Sequence, residues 1–176
     1  MNNHDSGNFQ PSQFLVDNVE LLPKGRVLDV AMGSGRNAVY LAKIGFEVEG
    51  VDISAEAVDN AVMLARQNNI DLNAKVRDLE KDSGIEKGAY DLIICFNYLQ
   101  RSLMPQIKEG LRSGGMVVYE TYLIDQPRFG KPRNPDYLLK HNELLDIFRD
   151  FRCLRYCEGI IDNRKAVAEI VAEKIK

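Results

Sequence analysis

Two glycines and two aspartates near the start of the chain have the types and the spacing of a nucleotide-binding turn. Gly33 and Gly35 follow the apolar run 27–30 and precede a stretch with helical periodicity. Glycines here let the backbone bend sharply and let a ligand approach without a Cβ in the way. Asp29 lies in the apolar run, and Asp52 ends the next predicted strand, where a carboxylate can accept both ribose hydroxyls. In doubly wound α/β folds, such a turn at the end of a central strand binds nucleotides.

Two kinds of nucleotide cofactor would satisfy this pattern. Gly33-x-Gly35-x-x-Ala38 matches the looser dinucleotide fingerprint, and Asp52 lies near its expected acidic position. Against this, Asp29 places a carboxylate inside the first strand, which is normally apolar in that fingerprint. A chain of 176 residues also leaves little room for a separate catalytic domain. Binding of a nicotinamide dinucleotide (NAD) therefore stays open as an alternative.

Strands and helices must alternate around this turn to position it. Periodicity and turn residues predict both kinds of element in order along the chain. The predicted strands are 27–30, 46–52, 72–77, 91–96 and 116–120, and the predicted helices are 11–22, 36–44, 55–68 and one from 105 to a stop at 113–115. Alternation of this kind predicts a parallel sheet with right-handed crossovers and helices on both faces.

The end of the chain breaks this alternation. After a predicted helix at 142–148, two extended runs at 151–158 and 165–173 are separated by Gly159 and by the turn formers Asp162-Asn163. An antiparallel hairpin is the expected structure, and it is foreign to the second half of dinucleotide-binding folds. The predicted fold class is α/β and doubly wound, with a mostly parallel seven-stranded sheet and an antiparallel C-terminal hairpin.

Composition bounds the class of protein. Of the 176 residues, 45% are hydrophobic and 28% are charged, as in one globular domain. We expect a flexible N-terminus over 1–10 and a single domain over 11–176. The longest apolar runs, such as 92–96, are far too short to cross a membrane, and the polar first ten residues disfavour a secretory signal. A cytoplasmic location is therefore expected, and the net charge of −3 disfavours nucleic acid and anionic membranes as partners.

Neither a disulfide scaffold nor a metal site is expected. Three cysteines are too few for a disulfide framework, and the two histidines, His4 and His141, are remote in sequence. His141 lies near a predicted helix start and is interpreted as a capping or surface residue.

A series of motifs extends from the glycine turn to the fifth predicted strand. They are Asp29-x-x-x-Gly33-x-Gly35, Asp52, Asp78-Leu79, the run 90–95 and the run 111–115. In this order they resemble the class I S-adenosylmethionine-dependent methyltransferases over nearly the whole chain. The runs 35–42, 119–121 and 133–139 resemble the small bacterial methyltransferases of the tellurite-resistance type. The departure is Ala31, where the commonest form of the motif has glycine.

The resemblance implies S-adenosyl-L-methionine as the cofactor and S-adenosyl-L-homocysteine as its product. At the methionine end, Asp29 would anchor the amino group and Arg36 would pair with the carboxylate. Cys95 or Phe96 would offer a backbone carbonyl to the ammonium. The turn residues that would lie under the methionine are Ala31, Gly33 and Gly35.

At the adenosine end, the resemblance implies that Asp52, with Ile53 beside it, holds the ribose. Asp78 would accept a hydrogen bond from the adenine amino group, while the Leu79 backbone N–H meets a ring nitrogen. Each aspartate also has a structural interpretation. Asp78 can be a turn former or a helix N-cap, and Asp52 with Ser54 can be a simple helix start.

The acceptor pocket is expected at the ends of the fourth and fifth predicted strands. Methyl transfer from a sulfonium depends mainly on orienting and desolvating the acceptor, and a general base is needed only for an acceptor of high pKa. The sequence leaves the catalytic residues open. Gln100 stands where the tellurite-resistance type often carries histidine. The candidate lining residues are Asn97, Tyr98, Gln100, Arg101, Glu120, Thr121, Tyr122 and Arg133.

Base-modifying amino-methyltransferases carry an [Asn/Asp]-Pro-Pro-aromatic run after the fourth strand. Here the run 97–100 is Asn-Tyr-Leu-Gln, which disfavours nucleic acid as the substrate. The long polar connection 121–140 is expected to be a lid over the acceptor, with a passive surface loop as the alternative. Arg101, Arg128 and Arg133 could form an anion-attracting rim there, or they could pair with surface carboxylates.

We therefore expect a methyltransferase acting on a small acceptor. The acceptor could be a metalloid oxyanion such as tellurite, a thiol-like nucleophile or a small metabolite. A non-catalytic module that binds S-adenosylmethionine or S-adenosylhomocysteine stays open beside it, and the sequence leaves the oligomeric state open.

Overall fold

Seven strands form one sheet in the residues that the computed structural model describes, 10–81 and 84–175. The strands are β1 (Arg26–Val30), β2 (Glu47–Asp52), β3 (Asn73–Val76), β4 (Tyr90–Phe96), β5 (Leu111–Tyr122), β6 (Arg152–Ile161) and β7 (Lys165–Glu173). The helices are α1 (Gln13–Asn18), α2 (Arg36–Lys43), α3 (Ala55–Gln67), α4 (Met104–Gly110) and α5 (Glu143–Ile147). Over the described ranges, none of the helices has the length and hydropathy that a membrane crossing requires.

The strand order is β3-β2-β1-β4-β5-β7-β6. Strands β1 to β5 pair in parallel, whereas β7 lies antiparallel between β5 and β6. The closing hairpin turns at Asp162 and Asn163, whose φ angles are 51° and 52°. Positive φ at both central residues matches the right-handed twist of the flanking strands. The predicted fold class, including the antiparallel C-terminal hairpin, is confirmed.

Helices cover both faces of the sheet because strand side chains alternate between two apolar cores. In β4, Leu92 and Ile94 belong to one core, whereas Ile93 and Cys95 belong to the other. Helices α1, α2 and α3 contribute to the first core, and α4 and α5 contribute to the second. The helix residues involved include Leu15, Ala38, Leu41, Ala61 and Leu64 on one face and Met104, Ile107 and Leu144 on the other. The carboxyl ends of β1, β2 and β4 therefore meet along one edge, between the two helical layers.

The N-terminal helix is shorter than its sequence pattern predicts. The predicted helix 11–22 is present as α1 followed by a single 3-10 turn at Val19–Leu21. Residues 1–9 lie outside the described residues. The flexible N-terminus and the single domain over 11–176 therefore stay predictions.

The fifth strand corrects a sequence prediction. β5 already begins at Leu111, so the run 113–115, which predicts a helix stop, lies inside the strand. The register with β4 shifts at an irregularity just after Tyr90. A Cβ at Gly115 would lie 3.1 Å from the carbonyl oxygens of Tyr90 and Asp91. This glycine therefore allows two strands to approach closely rather than ending α4.

The connection after β5 is tied to the sheet. A parallel bridge joins Leu123 to Leu139, and short 3-10 turns follow at Gln126–Arg128 and Pro135–Tyr137. The buried Gln126 side chain accepts from the Ala166 backbone N–H at 2.9 Å. These contacts favour the interpretation of this connection as a surface loop.

Gly35 is required at the start of α2 by packing as well as by its backbone. Its φ angle is 77°, in the left-handed region. A Cβ at this position would lie 2.7 Å from the Ala61 Cβ on α3. Gly35 therefore admits α3 against the glycine turn, and its missing side chain does not face the ligand side.

We expect Gly35→Ala to lower the free energy of unfolding by about 2–4 kcal/mol, because it combines left-handed strain with overpacking. Gly45→Ala is the matched control, since Gly45 also has a positive φ, of 91°, but nothing lies within 4 Å of the added Cβ. The free energy of unfolding of Gly45→Ala should fall by only about 1–2 kcal/mol. Urea unfolding of both variants measures the difference. Equal decreases in the free energy of unfolding of the two variants would show that packing against α3 does not restrict the residue at position 35.

Candidate functional site

A cleft lies at the carboxyl edge of β1, β2 and β4. It consists of a cavity of about 530 Å³ beside the glycine turn and a second of about 190 Å³ beyond Asp52. The two adjoin, because Ala31, Asp52 and Tyr98 line both. A larger cavity of about 630 Å³ lies between α4 and α5. That cavity is lined by none of the predicted cofactor-binding residues, so we take the cleft as the candidate site.

The cleft collects nearly all the predicted cofactor-binding residues. The cavity of about 530 Å³ beside the glycine turn is lined by Asp29, Ala31, Met32, Gly33, Ser34, Arg36, Asn37, Asp52, Phe96, Asn97 and Tyr98. The smaller one is lined by Ala31, Asp52, Ile53, Arg77, Asp78, Leu79, Glu80 and Tyr98. Gly35 and Cys95 line neither cavity. Cys95 is fully buried in the sheet. Of the two residues whose backbone carbonyl is predicted to accept from the ammonium, Phe96 is the one in the wall of the cleft.

Asp52 holds the glycine turn in place. Its Oδ2 accepts from the Gly33 backbone N–H at 2.8 Å, and its Oδ1 accepts from the Ser54 N–H at 2.9 Å. Each carboxylate oxygen can accept a second hydrogen bond. Asp52 is therefore both a helix-start residue, as one interpretation has it, and a fixed acceptor at the junction of the two cavities.

Ala31 also has a left-handed backbone, with φ at 53°. Glycine is the usual residue for such a conformation, which gives a physical reason for glycine in the commonest form of the motif. Alanine tolerates it at a cost of about 1–2 kcal/mol. Ala31 therefore adopts the left-handed conformation that a glycine at this position would favour.

Asp29 is a buried carboxylate with an unsatisfied oxygen. Its side chain is 2% exposed, and Oδ2 has no hydrogen-bond partner within the described part of the chain. Burial, and then the charge of Asp52, raise the pKa of Asp29 to about 8, against the lowering effects of Ala38 and Arg36. A buried acceptor without a partner is costly, and a donor bound in the cleft would satisfy it. The ammonium of an amino-acid ligand fits this position.

Asp78 is fixed by its own turn. Its Oδ1 accepts from the Glu80 N–H at 3.0 Å, and its Oδ2 lies 3.1 Å from the Lys81 Nζ. The hydrogen bond from Lys81 lowers the pKa of Asp78. Asp78 is thus a turn residue that also lines the smaller cavity, next to the exposed side chain of Ile53.

The predicted acceptor residues separate into two groups. Asn97, with φ at 58°, turns the chain so that Tyr98 lines the cleft, and the Tyr98 hydroxyl donates to Gln100 Oε1 at 2.6 Å. The backbone of Tyr98 is held by the Tyr119 hydroxyl, which donates to its carbonyl at 2.8 Å. The structure therefore brings Gln100 against Tyr98, although Gln100 itself lines neither cavity.

The remaining predicted acceptor residues do not line it. Glu120 is buried, accepts from Ser12 Oγ at 2.9 Å and pairs with Lys165. Thr121 is buried, Tyr122 is half-buried and Arg133 is exposed.

Arg101 is committed to another part of the molecule. Its Nε and Nη2 bind the Glu143 carboxylate at 2.6 and 2.9 Å. Its guanidinium also donates to the carbonyls of Asp136 and Leu138. Arg128 lies 3.9 Å from Asp125. Arg101 and Arg128 therefore pair with nearby carboxylates, as the second alternative has it, and do not form an anion-attracting rim.

One residue of the cleft, Asn37, lies within the run 35–42 but was not predicted as a site residue. Asn37 lines the cleft, and its Oδ1 accepts from the Ser12 backbone N–H at 2.8 Å. Because Ser12 also donates to Glu120, the residues just before α1 lie against the start of α2. These contacts join residues far apart along the chain, so only the tertiary structure reveals them.

Comparison with known proteins agrees with this geometry. The family described as tellurite resistance protein TehB matches residues 8–176. The chain belongs to this family. A probable S-adenosyl-L-methionine-dependent methyltransferase TehB of Haemophilus influenzae is 26% identical over 86% of this chain and 54% of its own length. A ubiquinone biosynthesis O-methyltransferase of Cronobacter sakazakii is 30% identical over 54% of this chain and 42% of its own length.

The crystal structure of TehB from H. influenzae has the same fold. It superposes with a TM-score of 0.75 and 22% identity, covering 91% of this chain and 61% of that one. The chain spans about half the length of the curated relatives above. The likeness to a class I methyltransferase of the TehB type is thereby confirmed.

The raised pKa of Asp29 predicts how stability depends on pH. The folded protein keeps a proton on Asp29 up to about pH 8, whereas the unfolded carboxyl releases it near its ordinary value of 3.8. The folded state therefore binds more protons, and stability falls as pH rises from about 4 to about 8, by at most about 1.4 kcal/mol per pH unit.

Asp29→Asn removes this titration. Without ligand, we expect the variant to unfold at higher urea concentration than the wild type at pH 9, with a smaller difference at pH 5. Paired urea titrations at the two pH values measure it, and the difference between the two proteins isolates Asp29 from other buried carboxyls. If the wild type and Asp29→Asn lose the same stability between pH 5 and pH 9, the raised pKa of Asp29 is contradicted.

Proposed function

We propose that this chain is a cytoplasmic S-adenosyl-L-methionine-dependent methyltransferase that acts on a small molecule and not on nucleic acid. The observation that carries the proposal is the unsatisfied carboxyl oxygen of Asp29 in the wall of a cleft whose two cavities meet at the fixed carboxylate of Asp52. An ammonium and a ribose, joined in one ligand, match these two groups. Membership of the TehB family supports the same ligand.

The lining residues suit the two ends of this cofactor. Asp29 would take the ammonium and Arg36 the carboxylate of the methionine part. Asp52 would take the ribose hydroxyls. Asp78 and the Leu79 N–H would take the adenine in the smaller cavity. When bound, S-adenosyl-L-methionine supplies an electrophilic methyl group on a sulfonium.

The same cleft disfavours a dinucleotide. In dinucleotide-binding folds the pyrophosphate lies at the N-terminus of the helix after the glycine turn. Here that place is lined by Asp29 and Asp52, and the carboxylate of Asp52 would repel a pyrophosphate. Arg36 gives one compensating charge beside them.

The chain contributes positioning more than proton transfer. Burial is the main cause that raises the pKa of Tyr98 to about 12, so its phenol stays protonated at neutral pH. Among the described residues, no histidine lines the cleft. The chain would therefore orient the acceptor and exclude water, which are effective means of promoting an in-line displacement.

Ligand binding tests the cofactor. S-adenosylhomocysteine at about 100 times its dissociation constant should stabilise the protein by about 2.7 kcal/mol. This corresponds to a rise of about 5–10 °C in Tm for a chain of this size, and NAD⁺ at the same concentration should give none. A shift with NAD⁺ alone would overturn the proposal.

Asp52→Ala should weaken S-adenosylhomocysteine binding about 10–100-fold in calorimetry, since it removes a charge-assisted contact of about 1.5–3 kcal/mol. Asp59→Ala, which removes an exposed carboxylate from α3, is the matched control and should bind as the wild type does. Unchanged affinity in the Asp52 variant would reject its assigned role. Formation of S-adenosylhomocysteine with a panel of acceptors separates an enzyme from a non-catalytic binding module.

A further inference from the structure

The N-terminal segment, residues 10–18, lies against the wall of the cleft. Ser12 is buried, and its backbone N–H donates to Asn37 Oδ1 at 2.8 Å, at the start of α2. Leu15, on α1, is fully buried in the apolar core to which α2 also contributes. The segment is therefore packed against the first residues of α2, and two of these, Arg36 and Asn37, line the cavity beside the glycine turn.

Glu120 anchors this segment. Its Oε2 accepts from Ser12 Oγ at 2.9 Å, and its Oε1 pairs with Lys165. Its backbone carbonyl accepts from the Asn97 N–H at 2.8 Å, and Asn97 lines the same cavity. Glu120 is 3% exposed, and a buried charge keeps its partners because losing one is costly. One residue at the end of β5 therefore fixes two separate stretches of chain beside the cleft.

The contact from Ser12 sets the orientation of the Asn37 amide. A backbone N–H can only donate, so the group that faces it is the amide oxygen and not the nitrogen. Nδ2 is then turned away from Ser12. It donates to none of the described residues, yet it is not sealed in the interior as a buried atom without a partner. Because Asn37 lines the cavity, its amide nitrogen is open to a ligand there.

We infer that Asn37 is a cofactor-binding residue whose amide nitrogen donates, beside the Arg36 guanidinium, to the carboxylate of the methionine part. Ser12 and Glu120 are the positioning residues that hold the amide in this orientation. This inference rests on the proposed function, and it extends the cofactor site to contacts made by the N-terminal segment.

The ligand carboxylate needs a donor of this kind. A carboxylate offers about four lone-pair sites, and the carboxylate of Asp52 in the same cavity repels it. Within the described lining of this cavity Arg36 is the single cation, and its Nη1 also lies 3.5 Å from the Gln10 carbonyl. The Asn37 amide adds a hydrogen bond to an ionised acceptor, which is stronger than a neutral one. The positive end of the α2 dipole adds to the same attraction.

Two ligands isolate the carboxylate. S-adenosylhomocysteine carries the ammonium and the carboxylate, whereas decarboxylated S-adenosylhomocysteine carries the ammonium alone. Calorimetry with the full chain at neutral pH gives the affinity for each ligand, and the ratio of the two affinities reports contacts to the carboxylate. A variant that only disturbs the fold weakens both ligands together and leaves this ratio unchanged.

Two variants of Asn37 test the contact itself. Asn37→Ala should weaken S-adenosylhomocysteine binding about tenfold, as expected for one lost hydrogen bond to a charged group, with the decarboxylated ligand unchanged within about twofold. Asn37→Asp is nearly isosteric and keeps an oxygen toward the Ser12 N–H. It should weaken S-adenosylhomocysteine further, because it repels the carboxylate, and should leave the decarboxylated ligand unchanged or more tightly bound. Asn60→Ala, at an exposed position on α3 outside the cleft, is the control and should change neither affinity.

Two variants of Ser12 test the positioning role. Ser12→Ala removes the hydroxyl that donates to Glu120 and keeps the backbone N–H. The affinity for S-adenosylhomocysteine should fall about 2–5-fold, as expected for one ordinary hydrogen bond, with the decarboxylated ligand unchanged. Ser12→Thr keeps a hydroxyl and should restore the ratio of the wild type. Neither variant removes the partner of Lys165, so the buried ion pair of Glu120 stays intact.

The outcomes separate the two proposals. Equal weakening of both ligands in the Asn37 variants, or no weakening of either, would overturn this inference and leave the methyltransferase function standing. A changed ratio in the Asn37 variants with an unchanged ratio in Ser12→Ala would reject the positioning role of Ser12 and Glu120. Absence of S-adenosylhomocysteine binding to the wild type would reject the proposed function itself.

Discussion

The architecture of the cleft depends on one carboxylate that joins two loops. Asp52 ends β2 and accepts the backbone N–H of Gly33 from the turn after β1, and the N–H of Ser54 from the start of α3. These charge-assisted hydrogen bonds are stronger than neutral ones, and they set the glycine turn against the second strand. The left-handed backbone at Ala31 and Gly33 becomes tolerable because this contact and the sheet hold both sides of the turn. The two cavities meet at this point, so the same interaction that stabilises the loops also sets the span available to a ligand.

The second physical feature is a desolvation cost that the protein retains at Asp29. The carboxyl is buried, one oxygen has no partner in the described residues, and its pKa is raised. A fold selected only for stability would replace such a group with an apolar one, because unpaired buried acceptors are unfavourable. Asp29 lies in the wall of the cleft, so a cationic ligand bound there could donate to the oxygen that has no partner in the protein. The raised pKa and the orphan oxygen are two consequences of the same burial.

The charges around the cleft show how tertiary contacts redirect residues that the sequence marks as candidates. Arg101 follows β4 closely enough to suggest an anion contact, yet Glu143 on α5 binds it from the other layer. Glu120 is at the end of β5, yet Ser12 and Lys165 take both of its oxygens. Tyr98, in contrast, still lines the cleft, where the Tyr119 hydroxyl binds its carbonyl and Gln100 binds its hydroxyl. Which of the predicted residues can contact a ligand therefore depends on which side chains the packing has left without a protein partner.

The sequence by itself determined the alternating strands and helices and the closing hairpin, and it singled out Asp29, Asp52 and Asp78, which the structure brings to one cleft, because these depend on local periodicity, turn chemistry and motif spacing. It placed β5 wrongly at its start, since glycines in the run 113–115 serve as well for a close strand approach as for a helix stop. Only the tertiary structure decided that Gly35 is required by Ala61, that Asn37 and Ser12 meet, and that Arg101 is not available to a ligand. Those outcomes depend on contacts between residues remote in the chain, and the competition among partners for one side chain is settled only when the layers pack.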